Sequence, residues 1–292
     1  MIKDYPKLNN NGVPLGCEYP VFVNLKVVMS DAKLLWSEEF NQEAGSAPNP
    51  AIWGRDTGDG SSYGIPGWGN NEFQVYTEEN AFVNELGHLE LEAKQIADGS
   101  AGDAYYGPVQ WTSARLVTKN KLHIKYGRIV IRAKVPAGVG LWPAFWMLGD
   151  SMDQEGWPLA GEIDIMEWVG KAPLEALGTL HGPGYFGDHG CGGKTELAAP
   201  ASDDWHEFSI NWKPNEISWF VDETEYFKAT PESVAPNQWV YEHPFYMLLN
   251  LAVGGNLGGP LADDLPSSNK LHVDYIRVYE FEGHGEILWI NN

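Results

Sequence analysis

Cysteine is nearly absent. Among 292 residues only Cys17 and Cys191 occur. Two thiols so placed make neither a zinc nor a redox motif, and the residues leave one disulfide and two inert thiols both open. Positive charge is also scarce, with 19 Lys+Arg against 40 Asp+Glu and a net charge of −21. A surface short of clustered Lys/Arg argues against a nucleic-acid partner and against an anionic membrane surface. It disfavours polyanionic substrates and suits a neutral one. No stretch reaches the roughly 18 apolar residues of a membrane helix. The start, MIKDYPKLNN, has no apolar core of a signal peptide. HExxH, GxSxG and Walker loops are missing. The glycine-rich stretch 254–259 lacks the Lys and following helix of a phosphate loop, so it reads as a turn. Helical periodicity is scarce as well.

Aromatics are abundant: 13 Trp, 13 Tyr and 11 Phe, in a chain that is 43% hydrophobic. Such rings fill a large core or line a groove for something flat, such as a sugar. Alternating runs punctuated by 33 Gly and 19 Pro have the habit of an all-β sandwich. Residues 88–94 alternate cleanly. Residues 128–135 read as a strand buried on both sides, 207–221 as a hairpin, and 271–281 as a long closing strand. We expect one large domain over 32–282, an irregular segment 1–31 packed on it, and a tail over 283–292.

Chemistry shows in the stretch 157–168, WPLAGEIDIMEW. Glu162 and Asp164 are two apart in an apolar strand and share a face. Strict alternation would put Met166 on that face and Glu167 on the other. A one-residue β-bulge near Ile165 and Met166 would shift the parity and bring Glu167 round. A solvated polar face is a poor reading for so apolar a run, and like charges on one face are costly without a purpose. A Ca²⁺ or Mg²⁺ cage usually draws on loops and carbonyls rather than one strand.

Paired carboxylates flanked by Trp point to glycoside hydrolysis. That chemistry needs one carboxylate ready to attack and one carboxylic acid ready to protonate the leaving oxygen. A gap of about 5–5.5 Å between them means a retaining reaction. Five extended steps of about 3.3 Å are too long alone, so a curved sheet and the bulge must close the distance. A cleft across a curved sheet also fits a polymer. We assign Glu162 as nucleophile, Glu167 as acid then base, and Asp164 as the group that keeps their pKa values apart. Spacing alone does not say which glutamate does which.

The twelve residues 162–173, EIDIMEWVGKAP, resemble the active-site signature of glycoside hydrolase family 16 in its longer, bulged form. The similarity runs from about residue 33 to 282. The stretches 70–77 (NNEFQVYT), 112–118 (TSARLVT), 140–146 (GLWPAFW), 248–256 (LLNLAVGGN) and 273–279 (VDYIRVY) resemble its bacterial laminarinases. The resemblance implies a β-jelly-roll of two curved antiparallel sheets with a concave substrate cleft. It implies retention, with Glu162 as nucleophile and Glu167 as acid/base. By the same resemblance Trp142 and Trp146 stack sugars near the scissile bond, and Asn70 and Arg115 hydrogen-bond sugars on the non-reducing side. His181 lies near the acids. The plainer alternatives are core positions for the tryptophans, a structural hydrogen bond for His181 and an ion pair for Arg115. Trp168 is a further candidate for sugar contact, although one step past the acid it tends to face the other way.

The resemblance also implies no cofactor in catalysis, and a structural Ca²⁺ on the convex side held by Glu39, Gly87 and Asp274. Asp274 has a plainer role as a salt-bridge partner. The sequence departs from the family pattern after Asn256, where Leu257 replaces an expected Trp-Pro-Gly continuation, and the loop 182–193 carries Cys191. The expectation is a secreted, monomeric endo-β-1,3-glucanase acting on laminarin-like β-glucan polysaccharide, with mixed β-1,3/1,4-glucan as a second substrate. The rivals are a sibling hydrolase of agar-type galactan and a glucan-binding lectin. The intact acids argue against the lectin.

Overall fold

A computed structural model describes residues 32–96 and 100–290. The segment 1–31, expected to pack on the domain, lies outside the described residues, as does Cys17. The strands used below are β1 (Leu34–Glu38), β2 (Gln74–Tyr76), β3 (Leu89–Gln95), β4 (Arg115–Val117), β5 (Leu122–Lys125), β6 (Gly127–Lys134), β7 (Leu141–Gly149) and β8 (Glu162–Glu167). They continue with β9 (Glu175–His181), β10 (Cys191–Glu196), β11 (His206–Lys213), β12 (Glu216–Val221), β13 (Thr224–Ala229), β14 (Phe245–Val253), β15 (Ser268–Tyr279) and β16 (Glu286–Trp289).

Two sheets stack as a jelly-roll sandwich. The convex sheet runs β13-β12-β11-β6-β15-β3, then the short strand Trp111–Ser113 and β2. The concave sheet runs β10-β9-β8-β7-β14-β5-β16, with β4 on the flank of β14. The pairing of β2 with Trp111–Ser113 is parallel, against the antiparallel rule of the rest. The strand expected to be buried on both sides, β6, is central, with β11 on one side and β15 on the other. The expected tail is corrected in part: Glu286–Trp289 is an edge strand, pairing Leu122 with Trp289 through Lys125 with Glu286. That pairing completes an edge that would otherwise leave backbone groups open.

Side-chain parity sorts the concave sheet into two faces. Leu141, Phe145 and Met147 of β7 and Leu249, Leu251 and Val253 of β14 point into the core. Trp142, Ala144 and Trp146 lie opposite Ala252, Asn250 and Leu248 on the other face, which is the floor of the cleft. Trp168, Trp212 and Trp219 are fully buried between the sheets. Tryptophan here therefore does both jobs, filling the core and lining the groove.

Candidate active site

The register of β8 contains the bulge that its acids require. Against β7, Phe145 faces Met166 and the next residue, Trp146, faces Asp164. Against β9, Asp164 faces Thr179 while Glu167 faces Leu177. One extra residue is thus accommodated between Asp164 and Glu167. Ile165 and Met166 are consecutive, and both lie in the core. The parity reset puts Glu162, Asp164 and Glu167 on the cleft face together. The same reset sends Trp168 inward. It is fully buried, and its Nε1 donates to the Pro173 carbonyl at 3.2 Å. Trp168 is a core residue and not a sugar contact.

The bulged strand is pinned from beneath. Trp219 of the convex sheet donates Nε1 to the Asp164 carbonyl at 2.8 Å. This approach needs Gly178 on the neighbouring strand, because a Cβ there would stand 2.2 Å from Trp219 Cδ1.

Each glutamate is held by a different indole. Trp157 Nε1 donates to Glu162 Oε2 at 2.6 Å, and Trp142 Nε1 donates to Glu167 Oε1 at 3.1 Å. Thr179 Oγ1 lies 3.5 Å from Glu167 Oε2. His181 Nε2 is 3.2 Å from Asp164 Oδ2 and 3.9 Å from Glu162 Oε1. The contact with Asp164 is close but off-axis, since Asp164 Oδ2 has no aligned hydrogen-bond partner.

Burial and crowding set the protonation. Burial pushes Glu167 up to about 6; the His181 charge opposes this and Glu162 adds to it. Asp164 is driven well above the usual carboxylate range, first by burial and then by the charges of Glu162 and Glu167. Burial alone would lower His181, but its contact with Asp164 and the three carboxylates outweigh that and raise it to about 9. The cluster therefore carries protons at neutral pH that separate groups would have lost. Ligand atoms of Glu162, Asp164 and His181 lie within 4.8 Å of one another, a spacing a metal could use. A His181 held protonated offers donors there rather than a lone pair.

The remaining candidates lie beside the acids on the same floor. Trp146 is half-buried and donates Nε1 to Asn250 Oδ1 at 2.7 Å. Asn250 donates to Tyr76 Oη, and Tyr76 donates to Glu72 Oε2, both at 3.1 Å. Asn70 Nδ2 donates to Glu72 Oε1 at 3.2 Å. Arg115 is an ion-pair partner, with Nε 3.1 Å from Asp56 Oδ2. Its guanidinium is also stacked, 4.4 Å from the centre of the Trp68 ring and 5.0 Å from that of Trp146. Sequence reasoning missed Glu72, Trp68 and Trp157. Glu72 is buried and raised in pKa by that burial, against the opposing pull of Arg115 and its three hydrogen bonds. Its signal was a lone carboxylate between Asn71 and Phe73 in a run matched to the family. The signal of Trp157 was its place just ahead of the acids.

The expected calcium ligands are otherwise engaged. Both oxygens of Glu39 are gripped by Arg277 at 2.8 Å. Asp274 is paired with Arg132 at 2.5 Å, with His88 3.9 Å away. Gly87 has only its backbone to offer. The side chains of Glu39 and Asp274 are thus paired with arginines, while calcium also draws on backbone carbonyls, which all three residues can offer. Cys191 is disulfide-bonded.

A β-sandwich whose cleft holds two glutamates on one strand, one of them buried and raised in pKa, is built as a carbohydrate-cleaving enzyme. The chain belongs to glycosyl hydrolases family 16, whose family model matches residues 69–277. It is 39% identical over 261 residues to a beta-glucanase of Rhodothermus marinus, covering 85% of each chain. The laminarinase catalytic domain of Thermotoga maritima matches with a TM-score of 0.79 and 43% identity, over 86% of this chain and 99% of that one. An endo-beta-1,3-glucanase from Pyrococcus furiosus matches with a TM-score of 0.80 and 42% identity, over 86% and 95%.

Proposed function

We propose that the chain is a retaining endo-β-1,3-glucanase acting on laminarin-like glucan and, secondarily, on mixed β-1,3/1,4-glucan. The carrying observation is the parity-reset strand, which sets Glu162 and Glu167 on one cleft face with separate indole donors. Glu162 attacks the anomeric carbon while Glu167 gives its proton to the glycosidic oxygen. The aglycone leaves and a glycosyl ester on Glu162 remains. Water then attacks that carbon, Glu167 takes the water's proton, and Glu162 is released. A buried Glu167 with a pKa near 6 suits a group that must first be an acid and then a base.

Asp164 and His181 tune this pair. Neither needs to touch the sugar to act, because each changes the charge beside the glutamates. Trp142, Trp146, Asn70 and Arg115 line the floor on which the glucan lies. The β-1,3-glucan assignment is supported by the beta-glucanase and laminarinase relatives. We take the working unit to be a monomer. A polymeric substrate places the work outside the cell.

The test is a product profile on laminarin, lichenan, cellulose and agarose. Short β-1,3-gluco-oligosaccharides from laminarin, and none from agarose, are expected. Products from agarose alone would keep the acids and replace the substrate with a galactan. Binding of glucan without products from any polymer would make the protein a lectin.

A further inference from the structure

Beyond Arg115 the floor continues into an aromatic shelf that the acids do not use. Tyr63 packs on Trp68 with ring centres 5.2 Å apart, and Trp68 in turn packs on the Arg115 guanidinium. Tyr63 nonetheless keeps 54% of its surface exposed. A second group of rings lies against Gly67, the residue before Trp68: Tyr105 and Tyr106 meet edge to face at 5.2 Å, and Tyr106 meets Phe73 at 5.9 Å. Tyr105 and Phe73 are also exposed.

This shelf is built rather than accidental. Tyr105 and Tyr106 sit on the small hairpin of Asp103–Ala104 and Gly107–Pro108. Asp59 ties that hairpin to the loop of Tyr63, accepting the Ser61 N–H at 2.9 Å and the Tyr105 N–H at 2.6 Å. Gly67, at φ +60°, lets the Tyr105 ring lie against the backbone, where a Cβ would meet it at 3.0 Å. Loops tied together by these bonds carry aromatic rings that are left open to solvent, and such exposed apolar surface often marks a ligand groove. Flat faces with hydroxyl edges suit the apolar faces of pyranose rings.

We infer that Tyr63 and Tyr105 are distal binding positions for further glucosyl units of a long β-glucan chain, reached by way of the Arg115 stack. The inference rests on the glucanase reading above and adds to it a preference for long chains. The shelf touches none of the three acids, so it acts on binding and leaves the chemical step alone.

The experiment compares wild type, Tyr63→Ala, Tyr105→Ala and the matching Tyr→Phe variants on β-1,3-linked trisaccharide, on longer oligosaccharides of rising length, and on laminarin. Expected for each alanine variant are a KM on laminarin raised about three- to tenfold, kcat within about twofold, and unchanged kinetics on the trisaccharide. Phenylalanine should restore most of the loss. A KM rise equal at every length would mean a general disturbance of the fold and overturn the inference. No change at any length would overturn it too. If wild type cleaves no glucan of any length, the glucanase reading itself fails and the inference falls with it.

Discussion

Two buried carboxylates on opposite sheets have opposite fates. Glu90, on the convex sheet, is 6% exposed, and Asp164, in the cleft, is 3% exposed. Glu90 accepts from Lys270 at 2.6 Å and from Asn84 at 2.8 Å, with His272 3.4 Å away. Burial pulls its pKa up, but those partners outweigh burial, and the net shift is downward. Asp164 has one imidazole for a partner and two glutamates for neighbours, and its pKa is driven up first by burial and then by those glutamates. Glu39 and Asp274, like Glu90, each have a cation of their own. Those that we assign to chemistry are three to one histidine. The lesson is that burial drives a carboxylate's pKa up unless cations and hydrogen-bond donors offset it, and that crowding by like charges adds to the rise.

Breaking the comparison at the nucleophile has the largest effect. Glu162→Gln should lower kcat on laminarin by on the order of 10⁴-fold or more while glucan binding persists; steady-state kinetics and a binding titration check both halves. Glu167→Gln should cost about 10²–10⁴-fold on glucan. The loss should shrink on an aryl glucoside whose leaving group needs no proton, and a uniform loss on both substrates would argue against the acid role.

A smaller change comes from His181→Gln. The wild-type basic limb of kcat/KM should fall near pH 6, set by Glu167. Removing the His181 charge removes a force that lowers Glu167, so this limb should move to higher pH. A limb that stays put would contradict the coupling.

The smallest effects are on stability, and they sharpen the contrast. Glu90→Gln weakens a satisfied ion pair and should cost about 1 kcal/mol, a lowering of Tm by a few degrees, with activity intact. Glu167→Gln should do the reverse. The native pKa of Glu167 lies above its unfolded value, so it contributes most at low pH, and stability falls as pH rises from about 4.5 to 6. Glutamine cannot lose a proton, so the variant should gain about 1–2 kcal/mol over wild type at pH 7 relative to pH 4. Thermal melts at the two pH values decide.

Much of this was legible in the sequence because period-2 alternation is a strong constraint. The spacing of Glu162, Asp164 and Glu167 conflicts with alternation, and the conflict itself located the bulge at Ile165 and Met166. The sandwich followed from short alternating runs and turn residues. Part of what escaped is local: Trp157 stands five residues ahead of Glu162 and reaches it from the loop between β7 and β8, where alternation does not say which way a side chain points. The rest depends on long-range approach. The Glu286–Trp289 strand pairs with residues more than 150 positions earlier, so a short run after Gly283 and Gly285 looked like a tail. Trp168 carried the right residue type for sugar stacking but the wrong parity. The arginine partners of Glu39 and Asp274 come from far along the chain, so those pairs too had no local signal.

The central claim is double displacement by two glutamates on one bulged strand. It is tested most directly by following the anomeric proton of the product by NMR in the first minutes of hydrolysis, before mutarotation. The account predicts that the β-anomer appears first. An initial α-anomer would mean direct attack by water and would contradict the assignment of Glu162 as nucleophile.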